Sequence, residues 1–269
     1  MPELPEVETT RRGIEPHLLN HRISRIVVRD PRLRWPVPDA VQGACGQVVS
    51  AVRRRAKYLL LETEPGVLLV HLGMTGSFRV LLEPKEPGKH DHFDIVTDRA
   101  VLRFNDPRRF GTFTWCDHPW QSHPLLASLG PEPLSGGFDG DHLYRTSRNR
   151  RVAVKNFIMD GRVVVGVGNI YASEALFMAG IHPLRKAGRV SRERYAGLAE
   201  AIRDVLSRAI ELGGTTLRDF SGTGGTPGYF MQELLVYGRA GQGCFQCGSS
   251  VRQKVIGQRS SFYCLSCQR

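Results

Sequence analysis

Cys244-Phe245-Gln246-Cys247 and Cys264-Leu265-Ser266-Cys267 carry the most specific spacing in the chain, two C-x2-C knuckles with sixteen residues between them. Four soft thiolates in two knuckles can converge tetrahedrally on one zinc ion. They leave no position open for substrate, so the expected site is structural. Two disulfides are the competing reading, disfavoured because the chain opens without an export signal and cytoplasmic thiols stay reduced. Between the knuckles lie Arg252, Lys254 and Arg259, and no acidic residue occurs from Cys244 to the end. Residues 236–269 therefore read as a stapled β-hairpin that presents cations. Cys45 and Cys116 fall outside the pattern and read as small buried apolar residues rather than catalysts.

Outward from this hairpin, composition narrows the partner. The 269 residues are 41% hydrophobic and 23% charged, ordinary for a globular chain long enough for two domains. The net charge of +11 is less ordinary. Such a surplus draws polyanions, either nucleic acid or an anionic membrane surface. No stretch approaches the roughly 18 consecutive apolar residues of a spanning helix, and the acidic, proline-containing start lacks the basic and apolar parts of a signal peptide. Nucleic acid in the cytoplasm is the expected partner, with a merely solubilising or ribosomal basic surface as the alternative.

The chain changes character near residue 130. A helix is predicted from Pro5 to Leu19, stopped by Asn20. Eight β-rich runs follow: Arg22 to Val28, Val48 to Val52, Tyr58 to Leu61, Val67 to Leu72, Ser77 to Leu82, His92 to Val96, Val101 to Phe104 and Phe110 to Trp115. Turns rich in Pro, Gly and Asp separate them, as in a sandwich or flattened barrel. Gly130-Pro131-Glu132-Pro133 reads as a linker, closing a first domain at residues 1–130. A helical domain over 131–235 follows, with segments near Gly140 to Ser147, Val152 to Met159, Ile170 to Ala179 and Ser191 to Leu212. The class is α+β and multidomain. His90 and His92 alternate with Asp94 along one strand, but three such side chains often arise at strand spacing by accident, and no second metal site is expected.

Two further stretches carry chemistry. Met1-Pro2-Glu3-Leu4-Pro5-Glu6 puts a proline directly after the initiator; once Met1 is removed, Pro2 offers a secondary amine that can form an iminium with a sugar aldehyde carbon. The bland alternative is that Pro2 and Pro5 only shape the start of a helix whose dipole Glu6 and Glu8 offset. In Gly166-Val167-Gly168-Asn169, Asn169 is a natural N-cap, and the glycines let backbone N–H groups approach a phosphate at the positive end of the next helix. An ordinary glycine-rich turn is the alternative. Arg145, Arg148, Arg150, Arg151 and Lys155 just upstream add weight to the phosphate seat. A dinucleotide fingerprint would need glycine where Tyr171 stands, so no nucleotide cofactor is expected.

Taken in order, Met1 to Glu8, Arg55-Ala56-Lys57-Tyr58, Asp106-Pro107-Arg108-Arg109-Phe110-Gly111, Val167 to Ala172 and the four-cysteine hairpin resemble bacterial formamidopyrimidine-DNA glycosylases over essentially the whole chain. The resemblance implies an N-terminal helix on an eight-stranded β-sandwich, a helix-two-turn-helix domain and a β-hairpin zinc finger. It implies a monomer acting on damaged double-stranded DNA in the bacterial cytoplasm, held at the nucleoid by its substrate. That family excises 8-oxoguanine and ring-opened purines and then nicks the strand. By the same resemblance Pro2 is the nucleophile and Glu3 protonates the sugar ring oxygen, while Glu6 orients them. Lys57 serves proton transfer and the flanking phosphate, and Arg259 holds that phosphate and assists the second elimination. Met74, Arg108 and Phe110 fill the space left by an extruded base, His90 and Arg150 meet the DNA backbone, and Asn169 and Lys155 belong to the phosphate-binding surface. Arg150 departs from the lysine common in the family, exchanging a point charge for a fork. The glycine-rich Ser221 to Gly228 stretch is expected to be a lid over the extruded base, or simply a linker. Two other readings stand beside this one: an endonuclease VIII-like glycosylase for oxidised pyrimidines, and a non-catalytic zinc protein that only binds DNA.

Overall fold

The computed structural model describes residues 2–83, 85–214 and 230–269. It divides into two compact units: the first ends at Ser128 and includes Gly213 and Gly214, and the second takes Leu129–Leu212 and residues 230–269. Met1 and the Ser221 to Gly228 stretch, on which initiator removal and the expected lid fall, lie outside the described residues.

The first unit opens with helix α1 (Leu4–Ile14). Its α-helical turns end earlier than the sequence reading: Pro16 has no N–H to continue the ladder, so Glu15–His17 tighten into a 3-10 turn before Asn20 takes a left-handed φ of 64°. Strands β1 (Ile23–Val28), β2 (Ala51–Arg55), β3 (Tyr58–Glu62), β4 (Gly66–His71), β5 (Ser77–Leu81), β6 (Asp91–Thr97), β7 (Val101–Asn105) and β8 (Thr112–Asp117) follow. They form two four-stranded sheets, ordered β1-β6-β7-β5 and β2-β3-β4-β8, in which all pairings are antiparallel. Two predicted strands shift. Val48 and Val49 make only isolated bridges, to Arg22 and Leu19, and Phe110 stays in the loop before β8.

Aromatic side chains join the sheets. Phe93 of β6 stacks on Phe113 of β8 with ring centroids 3.9 Å apart, and on Phe104 of β7 at 4.8 Å. Behind this core, β6 and β7 carry a charged ladder: Asp94 accepts from Arg103 at 2.9 Å and from Arg29, and Asp91 binds Arg79 and Asn105. His92 directs one ring nitrogen at the Asp30 carbonyl and the other at the Asp106 carbonyl. Of the polar alternation at His90, His92 and Asp94, the His92 ring is thus engaged by backbone and the Asp94 carboxylate by arginines.

The second unit contains α2 (Gly140–Ser147), α3 (Val154–Ile158), α4 (Asn169–Met178), α5 (Arg192–Glu211) and a hairpin of β9 (Arg252–Ile256) and β10 (Arg259–Tyr263). Asp139 caps α2 by accepting from His142 N, and Ser191 caps α5 by accepting from Arg194 N. Along α5 the buried residues Tyr195, Leu198, Ala199, Ile202, Val205, Leu206 and Ala209 recur at helical spacing and pack on α2 and α4. At the α2–α5 crossing a Cβ on Gly140 would sit 2.4 Å from Ala196 Cα, so only glycine permits that approach.

Glu174 is the one acidic side chain of α4, and it is buried. Its carboxylate accepts three backbone N–H bonds, from Leu235 at 2.7 Å, Val236 at 3.0 Å and Tyr237 at 2.8 Å. Burial nevertheless holds its pKa above the ordinary carboxylate value. The segment leading into the hairpin is therefore pinned to α4. Glu174→Ala leaves one buried and two partly buried donors without their acceptor and is expected to cost about 3 kcal/mol of stability. Denaturant unfolding checks the loss, and hydrogen exchange should report lost protection at the amides of Leu235, Val236 and Tyr237.

Candidate functional site

At the start of the chain, Glu3 is the N-cap of α1, with its side chain accepting from the backbone of Glu6 while Glu6 accepts from the backbone of Glu3 at 2.8 Å. This reciprocal capping box satisfies two otherwise orphaned donors and buries both carboxylates, leaving Glu3 only 2% exposed beside a half-buried Pro2. Glu6 thus acts through a capping-box bond to the Glu3 N–H, which fixes the backbone that carries Glu3. One turn further on, Glu8 binds Arg11 at 3.0 Å and Arg54 of β2 at 3.3 Å, while Arg11 reaches the Val52 carbonyl. These bonds brace α1 against β2. The two-residue turn between β2 and β3 carries Lys57, preceded by Ala56 at a φ of 55°.

A second group gathers at the ends of the strands. Met74, half-buried, lies on the turn between β4 and β5, and Arg108 and the 41%-exposed Phe110 lie on the loop between β7 and β8. The Arg108 guanidinium sits over the Phe110 ring, 4.9 Å from its centroid, a cation–π pairing. Backbone packs on backbone here: at Gly73, whose φ is +65°, a Cβ would lie 2.3 Å from the carbonyl carbon of Phe110. His90, half-buried at the entry to β6, accepts from Asp106 N at 3.0 Å. Met74, His90, Arg108 and Phe110 are thus neighbours through one short stretch of backbone.

Within the second unit, Gly168 rather than Asn169 is the N-cap of α4, correcting the sequence reading. The Asn169 side chain is drawn away by a stronger partner: its Oδ1 accepts from Lys155 Nζ at 2.6 Å, and its Nδ2 donates to the Ser260 carbonyl at 3.0 Å. Lys155 is fully buried and also donates to Ser261 Oγ at 2.6 Å and to the Ser260 carbonyl at 3.3 Å. It holds Asn169 and the hairpin rather than presenting a charge to solvent. Arg150 is exposed after a left-handed Asn149, and Arg259 is exposed at the first position of β10. The hairpin tip is Gly257-Gln258, both at positive φ, and a Cβ on Gly257 would meet the Asn156 side chain at 2.4 Å.

The four sulfurs of Cys244, Cys247, Cys264 and Cys267 all lie within 4.8 Å of one another. Zinc–sulfur bonds of about 2.3 Å in a tetrahedron put sulfur pairs about 3.7 Å apart, so the set fits a closed thiolate site. The Cys244–Cys267 and Cys247–Cys264 sulfur separations are 3.9 and 3.4 Å. Cys116 is buried, with its thiol pushed up to about 11 by burial, whereas Cys45 is only partly buried and donates to Gln42 Oε1.

Comparison with known proteins first gives a class. Residues 129–221 match the formamidopyrimidine-DNA glycosylase H2TH domain, and residues 1–113 match the N-terminal domain of the same enzymes. The chain is 61% identical over 271 residues to the formamidopyrimidine-DNA glycosylase of Stutzerimonas stutzeri and 60% identical over 272 residues to that of Syntrophotalea carbinolica, with 100% of each chain covered. Among solved structures, the MutM (Fpg) protein of Thermus thermophilus superposes with a TM-score of 0.88 at 41% identity, covering 99% of this chain and 98% of that one. The Lactococcus lactis Fpg in complex with DNA containing an abasic site superposes with a TM-score of 0.92 at 31% identity, covering 99% of both. The chain belongs to the formamidopyrimidine-DNA glycosylase family.

Sequence reasoning passed over Asp106 and His71. Asp106 stood in a quoted motif, but nothing marks a loop aspartate as buried. His71 ends β4, lies with its ring tilted against Tyr58 at a centroid distance of 4.8 Å and accepts the Gly73 N–H at Nδ1, 2.9 Å away, bracing the turn that bears Met74. Burial first, then the positive charges of Lys57 and Arg34, push its pKa down to about 4. An unfolded histidine takes its proton near 6.5, so between about pH 6.5 and 4 the unfolded chain binds more protons and stability falls as pH falls. We expect His71→Gln to remove about 1–3 kcal/mol of this acid sensitivity, read as a flatter melting temperature against pH across that window.

Proposed function

We propose that the protein is a base-excision repair enzyme that removes oxidised purines, 8-oxoguanine and formamidopyrimidines, from duplex DNA and then cleaves the strand at the abasic site. The observation that carries this reading is a buried Glu3 held by the Glu6 capping box directly beside Pro2, at the head of a helix braced on the β2–β3 hairpin. Family membership supplies the substrate class, and the net charge of +11 suits a polyanionic partner.

The chemistry follows from the residue types. With Met1 removed, the Pro2 nitrogen attacks the anomeric carbon of the damaged nucleotide. Glu3 gives a proton to the ring oxygen, and the ring opens as the base departs with its bonding electrons, the proton released from the Pro2 nitrogen neutralising the departing base. The resulting iminium bears its charge without a proton, because a secondary amine nitrogen then has four bonds to carbon. It acidifies the neighbouring sugar proton; loss of that proton expels the 3′ phosphate, and a second elimination expels the 5′ phosphate. Hydrolysis of the iminium returns the amine. Lys57 serves proton transfer and the phosphate beside the lesion, Arg259 holds that phosphate during the second elimination, and Glu6 acts by fixing Glu3.

A base inside a duplex must be extruded before any of this, at a cost of a few kcal/mol. Met74 and Phe110 offset the lost stacking as apolar wedges, and Arg108 meets the orphaned partner base with two donors. His90, Arg150 and Asn169 grip the backbone, with Lys155 acting through Asn169. One structural Zn2+ on Cys244, Cys247, Cys264 and Cys267 closes the hairpin that carries Arg259. A first domain over 1–130, a helical DNA-binding domain over 131–235 and a finger over 236–269 divide these tasks. The enzyme is proposed to act as a monomer on DNA in the bacterial cytoplasm, as its resemblance to that family implies; separately, among the described residues no helix is long and apolar enough to cross a membrane.

Borohydride trapping on an 8-oxoguanine duplex is the direct test, with the cross-linked residue mapped by peptide sequencing. The expected adduct is at Pro2 of a chain lacking Met1; Pro2→Gly should abolish it, and Glu3→Gln should lower base release by orders of magnitude. Unchanged nicking by both variants overturns the assignment. Excision of 8-oxoguanine should exceed excision of thymine glycol. Stripping the metal with a thiol-competent chelator should release one zinc per chain and weaken DNA binding, while the first unit keeps its melting transition. Affinity should fall steeply as salt rises, because arginine and lysine contacts to phosphate release counterions.

A further inference from the structure

Asp106 lies just beyond the end of β7 and is fully buried, with every polar atom engaged. Its N–H donates to the His90 carbonyl at 3.0 Å, and its own carbonyl accepts from Arg109 N at 3.3 Å and lies 2.9 Å from His92 Nε2. Of the carboxylate, Oδ2 accepts the Gly111 N–H at 2.7 Å, while Oδ1 accepts the Arg108 N–H at 3.3 Å and the Thr75 hydroxyl at 2.5 Å. A buried aspartate that only satisfied its own loop would be ordinary turn chemistry. The Thr75 bond is different, because it comes from the turn between β4 and β5, 31 residues away in sequence.

We propose that Asp106 is a positioning residue that locks the Met74 turn and the Arg108–Phe110 loop into one preassembled probe. The inference rests on the proposed function, in which those side chains enter the space left by an extruded base. Gly73 against Phe110 supplies the close approach, and the shared carboxylate supplies the register. Met74 can then not enter the stack without Arg108 reaching the orphaned base. Void filling and reading of the opposite base become one event, with its ordering cost met during folding rather than at each encounter.

The test uses the full-length, zinc-loaded enzyme and three variants. Thr75→Val removes the bond between the turns and keeps the side-chain shape, Thr75→Ser retains the hydroxyl, and Asp106→Asn sets an amide against a backbone N–H. Excision is measured on duplexes with 8-oxoguanine opposite cytosine and opposite adenine. A 2-aminopurine opposite the lesion reports the orphaned base. Trapping on a single strand bearing a preformed abasic site, which offers no stack to fill, reports an intact catalytic corner. Thr75→Val and Asp106→Asn should lower duplex excision on the order of tenfold to a hundredfold, compress the cytosine-to-adenine ratio and blunt the 2-aminopurine response, with single-strand trapping kept and Thr75→Ser near wild type. Thr75→Val that excises within about twofold of wild type with the same opposite-base ratio overturns the coupling. Equal losses on duplex and single strand overturn it too, since they make Asp106 a support of the fold alone. If wild-type enzyme itself traps no DNA, the proposed function fails instead.

Discussion

A carboxylate removed from water must be given hydrogens; in this protein Asp94 takes them from arginines, and at three other buried sites they come from the backbone of a neighbouring segment. Glu6 takes the Glu3 N–H, Asp106 takes those of Arg108 and Gly111, and Glu174 takes those of Leu235, Val236 and Tyr237. In each case the anion belongs to a regular element or its end, and the donors belong to a chain end, a loop or a connector that could not order itself. Breaking such a set strands several donors in a dry place, each at about 1–3 kcal/mol, so the loops share the rigidity of the scaffold. The sandwich, through its Phe93 and Phe113 stack, only has to hold the strand ends still.

Much of this fold was legible because its local signals agree. Eight β-rich runs, proline- and glycine-bearing turns and the caps Asp139 and Ser191 each specify an element within a few residues, and α2 falls where the sequence put it, at Gly140–Ser147. The misplacements have local causes. Pro16 was included in a predicted helix it cannot extend, and Asn169 was given a cap that Gly168 occupies, because the amide had a charged partner 14 residues away. The zinc-type spacing was legible for a different reason: four thiols at fixed separations have few other uses, and the folded chain brings them within 4.8 Å.

What the sequence hid is burial of charge. Lys155 read as one more cation in a basic run, yet it is fully buried. Asp94 read as one member of a polar alternation with His90 and His92, yet it pairs with Arg103 across β6 and β7 with almost no exposure. Periodicity reports which face of a strand is apolar; it cannot report that an acid on one strand will lie opposite a base on the next, since register is set by pairing far along the chain. Asp106 was invisible on the same ground, its decisive partner being Thr75.

Lys155 shows what that hidden layer does for the surface above it. An ammonium buried without partners would lose its proton or unfold its surroundings, so its position is tolerated only because Asn169, Ser260 and Ser261 supply oxygens. Those oxygens come from the first turn of α4 and from β10, and Asn169 closes the triangle by donating to the Ser260 carbonyl. The hairpin bearing Arg259 is therefore fixed to α4 by a charge-assisted cluster at one end and by Phe177 packing among Val251, Phe262 and the thiol-bearing knuckles at the other. Arg259 is exposed in its side chain, while the hairpin backbone beneath it is held at both ends. A cation so mounted can meet an anion without paying again, at each encounter, to order the backbone beneath it.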